Sequence, residues 1–455
     1  MVGVSGVRGL VGTDLTPELV ARYAAAFGVW AGNPGAARRR VAVVVGRDAR
    51  TSGPIFAMAA TSGLLSVGCD VIDIGLTSTP GAQLAVEHHH AGGGIVLTAS
   101  HNPIEWNALK FIGPDGVFLD AAGGERMRAI MEDGSLTRAD YAGLGAVRTD
   151  AAANERHISK VLALKLIPVA AIRRRRFRVA LDAVHGAGGA MMPALLERLG
   201  CKVTAIGLET DGRFPRPPEP TPDHLGALGR LVKRAKADVG LAVDPDVDRL
   251  AIVDERGRPI GEDYTLAFAV RAVLGAGRRS GRTPVVVNLS TSLVVDDAAR
   301  AYGAAVERVP VGEVNVARAM LERGALIGGE GNGGVILPKL HAGRDAPLAA
   351  ALVLALLARE RRNVSEIVGT APRYEIVKAR VPRGAKLGRV YAALRSRFSD
   401  AAVDTQDGLR LGWSDRWLHV RASNTEPIIR LIAEAPTRPA ADALVEEGHR
   451  LCAES

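Results

Sequence analysis

Three aspartates alternate in "VDPDVDRL" (Val243 to Leu250): Asp244, Asp246 and Asp248. In an extended chain, residues i, i+2 and i+4 point to one side. Three carboxylates there repel one another unless a cation lies between them. An all-oxygen set of this size suits a hard ion such as Mg²⁺. A calcium-hand loop fails at its sixth position, where Arg249 stands in place of glycine. A solvated acidic turn is the alternative, but the flanking runs "DVGLAV" and "LAIVD" are apolar, and burying an uncompensated acid triplet is costly. Arg249 adds a phosphate-binding cation beside the metal.

A serine with two readings lies upstream. "LTASHNP" (Leu97 to Pro103) follows the apolar run "GGIVL" and sets Ser100 where a strand should end. As a fragment it is ordinary turn chemistry, and a nucleophile is the competing reading. A third segment, "GGEGNGGVILP" (Gly328 to Pro338), matches the dinucleotide fingerprint literally through Gly329, Gly331 and Gly334. That fingerprint needs a helix to follow, whereas "VILP" reads as a strand and Glu330 would repel a pyrophosphate. A loop with one carboxylate, Glu330, and one amide, Asn332, suits sugar hydroxyls better. A fourth segment, "RASNTEP" (Arg421 to Pro427), gathers Arg421, Ser423, Asn424 and Thr425 into a compact oxyanion cradle; a plain turn between strands is its alternative. A P-loop for nucleoside triphosphates does not occur. One chemistry uses all four segments: phosphoryl transfer to and from a phosphosugar, with a serine, a divalent ion, hydroxyl ligands and a separate phosphate clamp.

The elements that must position these loops repeat. "RVAVVVGRDARTSGPIFAMAATSGLLSVGCDVIDIG" (Arg40 to Gly75), "FRVALDAVHGAGGAMMPALLERLGCKVTAIG" (Phe177 to Gly207) and "TPVVVNLSTSLVVDDAARAYGAAVERVPVG" (Thr283 to Gly312) each read as strand, polar loop, amphipathic helix, glycine stop and second strand. The fold class is therefore α/β: three related α/β domains with mixed sheets. After "RYEIVKARVP" the pattern changes to strand, helix, hairpin, strand and final helix, which reads as a smaller C-terminal α+β domain. The expected domains are residues 1–150, 151–254, 255–369 and 370–455.

Composition bounds the partners. The 455-residue chain carries a formal net charge of +9 with only 4% aromatic residues. A stacking platform for nucleic acid is disfavoured, and a small anionic substrate met by a few arginines is favoured. The one dense basic run, "RRRRFR" (Arg173 to Arg178), reads as a solvated linker. Cys69, Cys201 and Cys452 are too far apart for a zinc or disulfide framework, so a reduced, cytoplasmic protein is expected. The N-terminus lacks a signal-peptide pattern. "APLAAALVLALLA" is too short to span a bilayer and reads as a buried helix. The run His88, His89 and His90 reads as a solvated helix end. "GRDARTSGP" (Gly46 to Pro54) offers Arg47 and Arg50 to a phosphate, or only helix-capping groups, and is left outside the expected site.

In order and spacing, "SGVRG", "TASHNP", "NALKF", "DPDVDR", "GGEGNGG" and "RASNTEP" resemble the α-D-phosphohexomutases along essentially the whole chain. The resemblance implies four domains around a central cleft, the last a mobile lid. It implies that Ser100 is phosphorylated in the active enzyme and completes a Mg²⁺ site with Asp244, Asp246 and Asp248. It places Arg249 and Arg8 beside the phosphoserine, and His101 and Lys110 as aids to proton transfer. Glu330 and the neighbouring Asn332 would face the sugar, and Arg421, Ser423, Asn424 and Thr425 would hold the non-reacting phosphate. The implied reaction moves a phosphoryl group between O6 and O1 of a hexose phosphate through a hexose 1,6-bisphosphate.

Three positions depart from the family pattern. Many members have serine at Asn332, histidine at Gly334 and proline at Ala422. The form of "GGEGNGG", "SGVRG" and "PVGEVNVA" (Pro310 to Ala317) is most like members called phosphoglucosamine mutase, so glucosamine 6-phosphate to glucosamine 1-phosphate is the expected reaction. Phosphomannomutase or phosphoglucomutase activity is the alternative, and a metal-dependent sugar phosphatase or a basic nucleic-acid binder is a more distant one. The expected partner is a small phosphosugar, with no nucleic acid or membrane, acting on a monomer or homodimer.

Overall fold

The computed structural model describes residues 2–3, 6–32, 40–132, 136–277, 283–382, 384, 386–423 and 428–454. Each of the three repeated segments forms the expected unit. Strand Ala42–Arg47 leads through helix Gly53–Leu65 to strand Asp70–Leu76. Strand Arg178–Asp182 leads through helix Gly188–Arg198 to strand Lys202–Ile206, and strand Val285–Asn288 through helix Leu293–Arg300 to strand Val306–Val309. Within each unit the two strands pair in parallel, as a helical crossover requires. The glycines that stop the three helices, Gly68, Gly200 and Gly303, have φ of +83°, +79° and +72°, a conformation that side chains resist.

The likeness extends beyond those units. In each sheet a third strand pairs in parallel with the other side of the first: Gly93–Leu97, Val239–Val243 and Gly328–Glu330. A fourth strand then turns back antiparallel to the third: Trp106–Ile112, Leu250–Val253 and Gly334–Leu337. The shared spatial order is fourth, third, first, second. The loops joining third strand to fourth are therefore equivalent in the three domains. They are also three of the four segments singled out for chemistry, carrying Ser100, the aspartate triplet and the Gly331–Gly333 turn. All three leave the C-terminal ends of parallel strands, the edge where open α/β sheets bind ligands. Strand Gly334–Leu337, not a helix, follows the glycines, so the dinucleotide reading fails on structure as well as on sequence.

The fourth sheet is antiparallel and five-stranded, with strands Glu375–Pro382, Ile428–Ala435, Trp417–Ala422, Leu409–Gly412 and Ala402–Asp404 in spatial order. Helices Leu387–Arg397 and Arg438–Ala453 accompany it, and the domain has its own apolar core, including Leu394, Leu418 and Leu431. The second and third domains instead share one continuous core running from Ile158 to Ile367. Its centre is helix Ala346–Glu360, in which Ala346 to Leu357 are all buried. Among the described residues no helix is long and apolar enough to cross a membrane.

Two surface features complete the comparison with sequence. The arginine run is not a linker. Arg173, Arg174 and Arg175 form the exposed last turn of helix Val169–Arg175, where cations oppose the partial negative charge of the helix end. The histidine run does close a helix, Thr79–His89, with His90 left-handed at φ +48°, and His89 Nε2 meets Asp150 Oδ2 at 2.7 Å. All three cysteines are buried and free.

Candidate active site

Ser100 follows its strand in the left-handed region, at φ +50°. Its backbone N–H donates to Thr98 Oγ1 (2.9 Å), and its hydroxyl donates to Asp244 Oδ2 (2.9 Å). The two equivalent loops of the first and second domains thus touch. A second contact fixes their register: Thr79, at the start of its helix, donates through Oγ1 to Asp246 Oδ2 (2.6 Å) and through its N–H to the Asp246 carbonyl (2.9 Å). Lys110, on strand Trp106–Ile112, reaches across to Asp246 Oδ2 at 2.8 Å.

Each aspartate has one oxygen anchored by the protein and one left toward the common space. Asp244 Oδ1 accepts the N–H groups of Asp248 (3.1 Å) and Arg249 (3.2 Å), while its Oδ2 faces Ser100. Asp246 Oδ2 is held by Thr79 and Lys110, and Asp248 Oδ2 by Arg344 Nη2 (2.5 Å). Asp246 Oδ1 and Asp248 Oδ1 are buried and make no hydrogen bond among the described residues. All three side chains are fully buried, with ligand atoms within 4.8 Å of one another. Asp248 Oδ1 meets Arg249 Nε at an ion-pair distance of 3.7 Å. Buried carboxylate oxygens without hydrogen bonds beside a hydroxyl fit a hard divalent cation.

The electrostatics agree. Burial, then the neighbouring Asp248 and Asp246, push the Asp244 carboxyl well above its ordinary range. Burial acts the same way on Asp246, but the Lys110 ammonium and the hydrogen bonds it receives outweigh burial and hold it below that range. Packing three carboxylates this closely opposes their joint ionisation unless a cation lies among them. His101, next to Ser100, is held well below the usual imidazole value by burial and then by the guanidiniums of Arg249, Arg8 and Arg344. Its ring is therefore neutral at physiological pH, with Nδ1 shielded and making no hydrogen bond among the described residues. Arg8, on strand Gly6–Leu10, donates to Asn102 Oδ1 at 2.6 Å. Arg249 donates to Glu219 Oε1 at 3.0 Å.

On the third domain, Glu330 Oε1 accepts from Asn288 Nδ2 (2.8 Å) and Gly312 N–H (3.1 Å), and Oε2 from Arg344 Nη1 (2.5 Å). Burial pushes Glu330 up, but Arg344 and the Asn288 amide more than offset it, so the group stays ionised. Arg344 thus holds Asp248 with one nitrogen and Glu330 with another, while Glu313 Oε1 accepts its backbone N–H at 3.0 Å. Its path depends on Gly334, where a Cβ would lie 2.2 Å from Arg344 Cδ. Asn332 is half-buried and turns Oδ1 back to the Gly334 N–H (3.2 Å). Asp345 points elsewhere. It caps helix Ala346–Glu360 through the Leu348 N–H (2.7 Å) and pairs with His157 (2.7 Å) and His341 (2.9 Å) in a buried cluster.

The fourth domain brings Arg421, whose Nε donates to Asp407 Oδ2 (2.9 Å). The same oxygen accepts the Val311 N–H at 3.2 Å, and the adjacent Gly312 N–H reaches Glu330. One run of hydrogen bonds therefore joins the Arg421 loop to the Glu330 loop. Ser423 is buried beside it. Asn424 and Thr425 lie outside the described residues.

Residues 1–138, 155–257 and 261–374 match the phosphoglucomutase/phosphomannomutase alpha/beta/alpha domains I, II and III, and residues 376–449 match that family's C-terminal domain. The chain belongs to the phosphoglucomutase/phosphomannomutase family. It is 39% identical to a "Phosphoglucomutase/phosphomannomutase" of Thermococcus kodakarensis over 100% of this chain and 99% of that one. It is 37% identical to a "Probable phosphoglucosamine mutase" of Methanopyrus kandleri, over 98% and 96%. A crystal structure of a phosphoglucomutase/phosphomannomutase family protein from Burkholderia thailandensis superposes with a TM-score of 0.85 at 26% identity, covering 99% and 96% of the two chains. As a member of this α-D-phosphohexomutase family, the chain is a mutase-type isomerase, an intramolecular phosphotransferase.

Sequence reasoning missed Thr79 and Arg50 in this phosphohexomutase. Thr79 gave no signal, being an ordinary helix-start threonine. Arg344 and Asp345, just after the glycine loop, were left open as groups that could reach the cleft, and of the two Arg344 does. Arg50 was set aside as a helix-start residue, yet it is fully buried under the Ser100 turn. The neighbouring Ser52 makes no side-chain capping bond.

Proposed function

We propose that this mutase interconverts hexose 6-phosphate and hexose 1-phosphate, with glucosamine phosphate as the preferred sugar. The observation that carries the reading is the 2.9 Å contact between Ser100 Oγ and Asp244 Oδ2, beside two carboxylate oxygens left open for a cation. Phospho-Ser100 gives its phosphoryl group to the free hydroxyl of the sugar monophosphate. The resulting hexose 1,6-bisphosphate turns over in the cleft, and Ser100 takes back the other phosphate. Asp244, Asp246 and Asp248 would hold Mg²⁺, which supplies charge neutralisation on the transferring group when bound. Arg8 and Arg249 line the phosphoserine. His101, whose ring is neutral, and Lys110 assist proton exchange with the attacking and leaving hydroxyls. Glu330 and Asn332 take sugar hydroxyls, and Arg421, Ser423, Asn424 and Thr425 hold the phosphate that does not react. Closure of the fourth domain retains the bisphosphate and excludes water.

The Methanopyrus relative's name favours glucosamine phosphate, and that of the Thermococcus relative favours glucose or mannose phosphate. The test is a side-by-side rate comparison on the three 1-phosphates with Mg²⁺ and a trace of bisphosphate. Formation of 6-phosphate fastest from the glucosamine compound is expected. Release of inorganic phosphate without 6-phosphate would replace the mutase by a phosphatase. A Ser100→Ala variant as active as wild type, with no phosphoryl adduct by intact mass, would remove the role given to Ser100.

A further inference from the structure

The guanidinium of Arg50 is wholly buried and spends all five of its N–H donors. Nε donates to Asp48 Oδ2 (3.1 Å), Nη1 to the carbonyls of Pro103 (2.6 Å) and Trp106 (2.8 Å), and Nη2 to the carbonyls of Ser100 (2.6 Å) and Asn102 (2.6 Å). Four of the five acceptors are main-chain oxygens of the turn that carries Ser100. A turn that curls four carbonyls inward needs a cation with several donors in a fixed plane. Arginine has that fork, and lysine, with three donors on one atom, does not.

The clamp is closed on itself. Asp48 Oδ1 accepts the Arg50 N–H (2.9 Å), Asp48 Oδ2 accepts Thr98 Oγ1 (2.6 Å), and Thr98 Oγ1 accepts the Ser100 N–H (2.9 Å). Ser100 is thus held at both its N–H and its carbonyl, in the left-handed conformation that serine does not favour. With every donor engaged, Arg50 has none for a substrate phosphate.

The second domain covers the other side. The Phe214 ring lies 5.0 Å from Arg50 Cζ. Gly212, at φ +70°, packs so closely that a Cβ there would lie 2.4 Å from the Ala49 carbonyl and 2.8 Å from Arg50 Cα. Residues 212–214 belong to the domain that also carries Asp244.

We propose that Arg50 is a positioning residue that holds the Ser100 turn in its transfer-competent shape and, through Gly212 and Phe214, in register with the aspartate loop of the second domain. The inference rests on the nucleophile role proposed above for Ser100.

The test compares wild type, Arg50→Lys and Phe214→Leu by four readouts: kcat and KM, phosphoryl uptake by Ser100 from hexose 1,6-bisphosphate, Mn²⁺ affinity by electron paramagnetic resonance, and amide hydrogen exchange over residues 98–106. Arg50→Lys is expected to lower kcat and the rate of phosphoryl uptake roughly a hundredfold, the scale of an ångström-sized misplacement. KM and Mn²⁺ affinity should stay within about twofold, and exchange in the turn should quicken. Phe214→Leu should shift the same readouts in the same direction by less. Wild-type kcat in Arg50→Lys overturns the proposal, as does a rise in KM with kcat unchanged. If Arg50→Lys does not fold, Phe214→Leu decides: unchanged turn exchange and unchanged kcat overturn the proposal. A wild-type protein that never takes up phosphoryl would instead sink the role of Ser100. Turn exchange would then still report on the clamp.

Discussion

The hydroxyl of Ser100 and the carboxylate of Asp244 meet at 2.9 Å although 144 residues separate them. Each sits on the loop between the third and fourth strands of its own domain. The Thr79–Asp246 and Lys110–Asp246 contacts hold those two loops together from the first-domain side. The arrangement puts a serine hydroxyl at the rim of a carboxylate set with two oxygens that make no hydrogen bond among the described residues, and it makes the aspartates separable by experiment.

Asp246→Asn removes the charge that Lys110 faces and one of the open oxygens. Mn²⁺ affinity should fall at least tenfold and mutase activity roughly a hundredfold or more, the scale of losing one charge-stabilising group. The metal-free variant should still fold but melt earlier than wild type, because the Lys110 ammonium loses the buried counter-charge it meets at 2.8 Å. A metal titration and a melting curve on the same sample check both. Full activity would show that Asp246 holds no cation.

Gly334→Ala places a methyl group 2.2 Å from Arg344 Cδ. The neighbour is a flexible side chain, so the fold should survive while Arg344 moves off Glu330 and Asp248. KM for the phosphosugar should rise about tenfold, or ~1.4 kcal/mol of binding, with a smaller change in kcat. Steady-state kinetics, with a circular-dichroism check of the fold, measure it. An unchanged KM would mean that Arg344 does not set the sugar carboxylate.

Arg421 is oriented by Asp407 through Nε, and in the reading proposed above its guanidinium holds the phosphate that does not react. Arg421→Lys keeps the charge but loses the fork. KM should increase about tenfold or more, again with the smaller effect on kcat. A substrate analogue that lacks the non-reacting phosphate should not distinguish the variant from wild type.

The fourth domain should loosen in acid. His419 is buried, takes Ser290 Oγ at Nδ1 (2.8 Å) and meets the Asp407 carbonyl at Nε2 (2.7 Å). Burial lowers it to about 4 despite the carbonyl contact. The unfolded chain binds that proton at about 6.5, so the unfolded state takes up more protons between the two values. The stabilisation is complete above about pH 6.5 and falls by about 1.4 kcal/mol per unit as the pH drops toward 4. Melting curves between about pH 7 and about pH 5 should show a steeper loss for wild type than for His419→Gln. Equal slopes would place the acid sensitivity elsewhere.

The sequence by itself determined what depends on neighbours along the chain. Alternating β-branched strands, amphipathic helices and glycine stops at Gly68, Gly200 and Gly303 are local patterns, so the three α/β units could be read directly. The acid triplet, the Ser100 turn and the glycine loop could be read for the same reason, because each is a short run whose residue types announce a chemistry. The arginine run was misread because charge density alone does not tell a linker from a last helical turn. Only the tertiary structure decided which groups meet. It made the three loops equivalent hairpins on one edge and set Ser100 against Asp244. It ran Arg344 past Gly334 to join Asp248 with Glu330, and closed Arg50 over four carbonyls. A hydrogen bond is a matter of a few tenths of an ångström and a direction. Residues far apart in sequence acquire that geometry only when domains pack, so no pattern along the chain encodes it.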